Sequence, residues 1–190
     1  MMENNLQSKR VAILVADQFE QIELTSPRDA LKEAGAETFL ISPNPDTVRG
    51  WKEGNWGDVF KVDLPIEKAN AEDFDALLLP GGVKNPDTLR TDEKVLEFVH
   101  HFFEIGKPVA AICHGPWTLI NARVVRGRTM TSYPSLKVDL ENAGANWVDR
   151  EVVVDDGLVT SRGPQDLEAF NRKMVEEIGE GFHSEQRKSA

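Results

Sequence analysis

The sequence predicts an α/β fold with a mostly parallel central sheet, on three observations. Short runs such as VAILVA (11–16), ALLL within DALLLPGG (75–82) and VAAI within KPVAAI (107–112) are apolar without a break, as in strands covered on both faces. Amphipathic stretches lie between them; in TDEKVLEFVHHFFEIG (91–106), Val95, Phe98, Val99, Phe102 and Phe103 recur at helical spacing. The two patterns alternate along the chain, which implies a sheet wrapped by helices on both sides.

The elements follow in order. VAILVA leads into a helix over 22–34 that stops at Gly35, and ETFLISP (37–43) is the second strand. The segment 44–63, with Gly50, Gly54, Gly57, Trp51 and Trp56, reads as a hairpin or long loop ending in the short strand VFKVD. The third buried strand closes at Pro80-Gly81-Gly82, and the helix over 91–106 has Thr91 or Asp92 as N-cap and Gly106 as stop. KPVAAI is the fourth strand. GPWTLINARVV (115–125) starts a helix with Pro116 in its first turn. SYPSLKVDLENAG (132–144) is a helix, NWVDREVVVDDGLVTS (146–161) a β-hairpin turning at Asp155-Asp156-Gly157, and LEAFNRKMVEEIG (167–179) the last helix. The expected organisation is one domain over 9–180, with polar flexible ends at 1–8 and 183–190.

Composition narrows the function classes. At 190 residues with 40% hydrophobic and 28% charged residues, the chain suits one globular domain. A net charge of −10 with no basic block argues against nucleic acid or anionic membrane as partner. One cysteine cannot form an internal disulfide, which suits a reducing compartment. The polar N-terminus lacks the apolar core of a signal peptide, and no run is long enough to span a bilayer, so a cytoplasmic location is expected. Zinc-ligand spacing and nucleotide-binding glycine motifs are absent from the sequence, so no metal or cofactor is expected.

The chemistry concentrates at strand ends, where open α/β sheets bind ligands. ADQFEQIEL follows strand one with Asp17, Glu20 and Glu23; PGGVKNPD follows strand three; CHGP follows strand four. Cys113 stands between a strand and a helix N-terminus, whose unpaired N–H groups favour a thiolate, and a sharp elbow there would expose its sulfur. The bland alternative is a buried structural cysteine, and spacing leaves the two open. His114 could serve as acid or base. Gly81-Gly82 could present a backbone N–H to developing negative charge, or simply end the strand. Glu20 could hydrogen-bond Cys113, or be an inert carboxylate at a helix start. His100, His101 and His183 read as surface or half-buried positions, and Asp155 and Asp156 as turn formers.

Together, FEQIEL, LLLPGG, AICHGP, TSYPSLKVDLENAG and EVVVDDGLVTSRGP, in this order, resemble the DJ-1/PfpI superfamily, specifically its PfpI-type intracellular protease and general stress protein branch. The resemblance implies a flavodoxin-like three-layer sandwich with a nucleophile elbow. It implies Cys113 as nucleophile, His114 as its partner, Glu20 as the glutamate contacting the thiol, and Gly82 with the His114 N–H as oxyanion site. It also implies a homo-oligomer, at least a dimer, in which Asp87 of a neighbouring subunit completes a Cys-His-acid triad. Two departures stand out: Asp replaces the usual Glu, and its loop is one residue longer.

Three function classes follow. The first is a stress-response cysteine hydrolase or lyase acting on small reactive carbonyls such as methylglyoxal, on glycated adducts, or on small peptides. The second is a redox sensor or chaperone-like protective protein whose cysteine oxidises under stress with little turnover. The third is a binding domain with an inert buried cysteine. Fold membership alone does not choose among them.

Overall fold

The computed structural model describes residues 5–190. The chain opens with β1 (Arg10–Leu14), a two-residue β2 (Phe19–Glu20), α1 (Gln21–Glu33) and β3 (Glu37–Ser42). The tryptophan-bearing segment is a true hairpin, β4 (Thr47–Lys52) with β5 (Asn55–Lys61), and VFK of the expected short strand belongs to its second arm. A two-residue β6 (Leu64–Pro65) precedes β7 (Ala76–Leu79).

The second half holds α2 (Lys84–Leu89), α3 (Glu93–Glu104), β8 (Val109–Ile112), α4 (Pro116–Asn121) and β9 (Thr129–Met130). It continues with α5 (Lys137–Asn142), β10 (Asn146–Trp147), β11 (Val153–Asp155), β12 (Leu158–Ser161) and α6 (Leu167–Glu180). Asp92 caps α3 by accepting the N–H groups of Lys94 and Val95 at 2.9 and 3.3 Å. Short α2 falls where a loop was expected. The expected 146–161 hairpin is confined to β11 and β12, because β10 pairs parallel with β9 instead.

Seven strands form the main sheet in the order β11-β12-β8-β7-β1-β3-β6. Every pairing is parallel except β11 with β12. This is the expected three-layer sandwich. Alternation along the strands divides the apolar residues between two faces. Ala12, Leu14, Leu77, Leu79, Val109 and Ala111 pack with Val95, Phe98, Phe102 and Phe103 of α3 and Leu119 of α4. Val11, Ile13, Leu78, Ala110 and Ile112 pack with Leu24 and Leu31 of α1 and Phe170 and Met174 of α6. Each such buried ring or branched chain contributes about 1.5–3 kcal/mol relative to exposure. Among the described residues, no helix is long and apolar enough to cross a membrane.

Both ends depart from the expected flexibility. Residues 1–4 lie outside the described residues, but Leu6 is fully buried and its N–H donates to the Ala34 carbonyl at 2.7 Å. At the other end Ser184–Ser189 forms a 3-10 helix, and Gln186 is fully buried. The reason is a wholly buried cation. Arg128 has no exposed surface, and Gln186 Oε1 accepts from its guanidinium while the Gln186 amide donates to the Lys107 carbonyl at 3.1 Å. Polarity in the sequence signalled exposure, whereas here it pays for a buried charge.

The sheet positions the site by turning sharply after β8. Residues 109–112 alternate between faces, but Cys113 packs on the same side as Ile112 because its φ is 61°. The close approach at Gly115 permits that turn: a Cβ there would lie 2.6 Å from the Leu79 carbonyl oxygen and 2.9 Å from that of Ile112. Gly115→Ala is expected to destabilise the protein by about 3 kcal/mol, the upper part of the usual single-substitution range, read as a lowered urea midpoint. An unchanged midpoint would show that the elbow tolerates a wider turn.

Candidate active site

Six parts of the chain enclose a cleft of about 550 Å³, lined by Gln18, Glu20, Glu23, Trp51, Gly82, Val83, Lys84, Asp87, Cys113, His114, Tyr133 and Pro164. The loops after β1, β7 and β8 therefore meet, as expected from the strand ends. A residue unremarked in the sequence ties two of them together. Asn85 is fully buried; its Oδ1 accepts the Ala16 N–H at 2.7 Å, and its amide donates to the carbonyls of Pro80 and Gly81, both at 3.0 Å. Gly82, at φ 79°, has no room for a side chain, since a Cβ would lie 2.6 Å from the Gln18 carbonyl oxygen.

Cys113 sits at the head of the cleft, 7% exposed, with Sγ 3.2 Å from His114 Nδ1. The other His114 ring nitrogen, Nε2, is 3.3 Å from Ser135 Oγ. Tyr133 stacks on the imidazole with centroids 4.6 Å apart, and Trp117 meets it edge-on at 5.2 Å. The ring is thus clamped in one plane, and burial lowers its pKa, so it is neutral near pH 7 and able to accept a proton.

The carboxyl against the thiol is that of Glu23. Glu23 is fully buried, and its Oε2 accepts the Gly81 N–H at 2.7 Å. Among the described residues its Oε1 has no nitrogen or oxygen partner, and its carboxyl accepts a hydrogen bond from the Cys113 thiol. Glu20, three residues earlier, also lines the cleft but is only partly buried; burial raises its pKa, and its charge acts on Glu23. The structure therefore places Glu23 where the sequence expectation had placed Glu20. The reason is helical geometry: Glu20 precedes α1 as its N-cap, while Glu23 lies in the first turn and faces inward.

Burial and the Glu23 charge push the thiol pKa up, while the backbone N–H groups of Gly82 and His114 pull it down. The thiolate expected from the helix N-terminus is outweighed, because α4 has only six residues and the sulfur is buried. Glu23 is itself pushed up to about 8, chiefly by burial. The two groups titrate as a pair. The thiol donates to the Glu23 carboxyl, which eases ionisation of the carboxyl and opposes that of the thiol.

Asp87 lines the cleft of its own chain, with its carboxylate paired to Arg90 at 2.9 Å. The Arg90 guanidinium lies over Trp117, 4.5 Å from the ring centroid. Asp17 is structural: it accepts the Arg49 N–H at 2.7 Å and an Asn44 amide hydrogen at 3.0 Å, anchoring the β4–β5 hairpin. Asp155 does more than turn the chain, since it accepts the Thr129 N–H at 2.6 Å and faces Arg128 at 3.7 Å. His100 and His101 lie in α3, and His183 in the C-terminal segment; none lines the cleft. Tyr133, Trp117, Ser135 and Asn85 escaped sequence reasoning. Only the SYPS segment, already conspicuous in the resemblance, pointed near them.

The sequence profile of the DJ-1/PfpI family matches residues 9–177. The chain belongs to the DJ-1/PfpI family. It is 50% identical over 170 residues to the putative cysteine protease YraA of Bacillus subtilis, covering 88% of this chain and 97% of that one. It is 47% identical over 174 residues to protein/nucleic acid deglycase 2 of Escherichia coli, covering 90% and 99%. Among solved structures, Drosophila melanogaster DJ-1beta superposes with a TM-score of 0.83 at 29% identity, over 96% of this chain and 95% of that one. The expected family and its α/β sandwich are thus shown, and the family match ends at Glu177, ahead of the buried C-terminal segment.

The coupled pair makes a testable pH signature. Between the ordinary carboxyl value of 4.5 and about 8, the folded protein keeps a proton on Glu23 that the unfolded chain has released. Stability contributed by that proton is complete below the first value and lost as pH rises through the second. Glu23→Gln, which can still accept the Gly81 N–H, is expected to lose less urea resistance between pH 5 and 8 than the wild type. Iodoacetamide labelling of Cys113 should stay slow through about pH 8 in the wild type, because the Glu23 carboxylate formed there keeps the thiol protonated, and should be faster in Glu23→Gln, which lacks that charge.

Proposed function

We propose that the protein is a cysteine-dependent hydrolase of the stress-protection type, acting on small reactive carbonyls, their glycated adducts, or small peptides. The observation that carries this reading is the geometry at sulfur: Cys113 Sγ lies 3.2 Å from His114 Nδ1, at the head of a cleft of about 550 Å³, with the Gly82 and His114 N–H groups beside it. The names of the relatives, a putative cysteine protease and a deglycase, support cysteine and adduct-cleaving chemistry.

In the proposed reaction on a peptide or other acyl substrate, sulfur attacks the carbonyl carbon. An S–C bond forms, and the π pair moves to oxygen, facing the Gly82 and His114 N–H groups. The thiol proton passes to His114. When the oxyanion collapses, the bond to the leaving group breaks, and His114 delivers the proton to it. Water then attacks the acyl-sulfur carbon, His114 takes its proton, and acid and free thiol are released. As part of the same proposal, Asp87 of a second copy orients His114 and must then leave or share its pairing with Arg90. A homo-oligomer, at least a dimer, follows from that requirement.

The test compares wild type, Cys113→Ser, Cys113→Ala and His114→Ala on methylglyoxal, glycated thiols and peptides. Both Cys113 variants are expected to lose turnover, and His114→Ala to lose about 10²- to 10⁴-fold. Turnover unchanged in both Cys113 variants rules the reading out. Light scattering that shows a monomer at micromolar concentration removes Asp87 from the mechanism.

One observation favours a second reading, a redox sensor. Glu23 Oε1 is buried without an oxygen or nitrogen partner among the described residues, and an oxygen added to Cys113 sulfur could supply one. Graded peroxide followed by intact-mass measurement separates the readings. The sensor predicts a sulfinic Cys113 at doses that leave ordinary thiols reduced, and less of it in Glu23→Gln.

A further inference from the structure

The end of α6 and the chain after it gather a donor set far from the cleft. Glu177, Glu180 and His183 each offer a ligand atom, and these atoms lie within 4.8 Å of one another. His183 Nε2 is 3.5 Å from Glu177 Oε2. Two donors on a tetrahedral zinc ion, each at about 2.0–2.1 Å, stand about 3.4 Å apart, so this edge already has the required length. Glu180 is exposed and free to close the remaining gap.

A second observation is independent of that spacing. Glu177 is 7% exposed; its carboxylate has the Gly157 N–H and the His183 ring beside it, the latter charged only when protonated, and no permanent cation pairs with it among the described residues. Buried carboxylates are ordinarily paired with a cation or bound to a metal.

The backbone holds the histidine in place. The His183 N–H donates to the Gly106 carbonyl at 2.8 Å, and the ring packs so closely on Gly157 that a Cβ there would meet it at 2.9 Å. Beyond it, Gln186 binds Arg128 and Lys188 pairs with Asp156. The family profile ends at Glu177, so Glu180 and His183 belong to a segment outside it.

We propose that Glu177, Glu180 and His183 bind a divalent transition-metal ion of the zinc type, and that the ion staples the C-terminal segment onto the body of the protein. One nitrogen and two carboxylate oxygens suit zinc and its neighbours better than magnesium or calcium, which favour all-oxygen sites. The site lies apart from the chemistry at Cys113, and its role is to close the chain end over Arg128.

The experiment uses untagged full-length protein carrying Cys113→Ser, which removes the thiol as a rival zinc ligand. Zinc is titrated against a chromophoric chelator, and amide hydrogen exchange is followed over residues 181–190. One zinc equivalent is expected, with slowed exchange in that segment. Adding His183→Gln or Glu180→Gln should weaken binding at least about tenfold, judged against the effect of losing even an outer-sphere partner, and abolish the slowing. No zinc uptake in the micromolar range overturns the proposal. So does equal affinity with and without His183, which would place the ion at His100 and His101 beside Glu104 instead.

Discussion

The Cys113 elbow is the constraint on which the rest of the site depends. A non-glycine residue at φ 61° is costly, and it persists only where surrounding structure enforces it. Here β8 runs into it from a fully buried sheet, Gly115 lets the outgoing chain pass close to the Leu79 carbonyl, and the Tyr133 N–H donates to the Cys113 carbonyl at 2.8 Å. Reversing the side chain at this corner turns sulfur away from the face its register would give it. It then meets Glu23 from α1 and the N–H groups of Gly82 and His114.

The electrostatics follow from burial more than from helix direction. A thiol and a carboxyl share one dry pocket; burial hinders ionisation of both, the Glu23 charge hinders it further at sulfur, and the hydrogen bond from the thiol eases it at Glu23. The carboxyl ionises first, and its charge then opposes loss of the thiol proton, while the backbone donors around sulfur favour it. A clamped, neutral His114 beside the pair can accept the proton that the pair gives up. The same logic, a buried charge demanding partners, recurs at Arg128 and Glu177, where the C-terminal segment supplies them.

Much of this was legible in the sequence. The uninterrupted apolar runs became the central parallel strands, the Phe-rich amphipathic stretch became α3 with Asp92 as its cap, and the CHGP turn became the elbow. Less legible were the short elements. Two-residue β6, β9 and β10 exist only because a neighbouring strand offers hydrogen bonds, so periodicity carries no trace of them. Asn85 and Ser135 have ordinary local contexts, and their importance lies in partners that are distant in the chain.

By itself the sequence determined the sandwich, the family and the position of the elbow cysteine, because hydrophobic period, turn residues and motif order are local properties. Only the tertiary structure decided that Glu23 and not Glu20 reaches the thiol, since that turns on which side of α1's first turn faces inward. It also decided that Leu6 and the Ser184–Ser189 segment are docked and that Gln186 serves a buried arginine. Those outcomes depend on burial, and burial is settled by what packs against a residue rather than by the residue's own polarity.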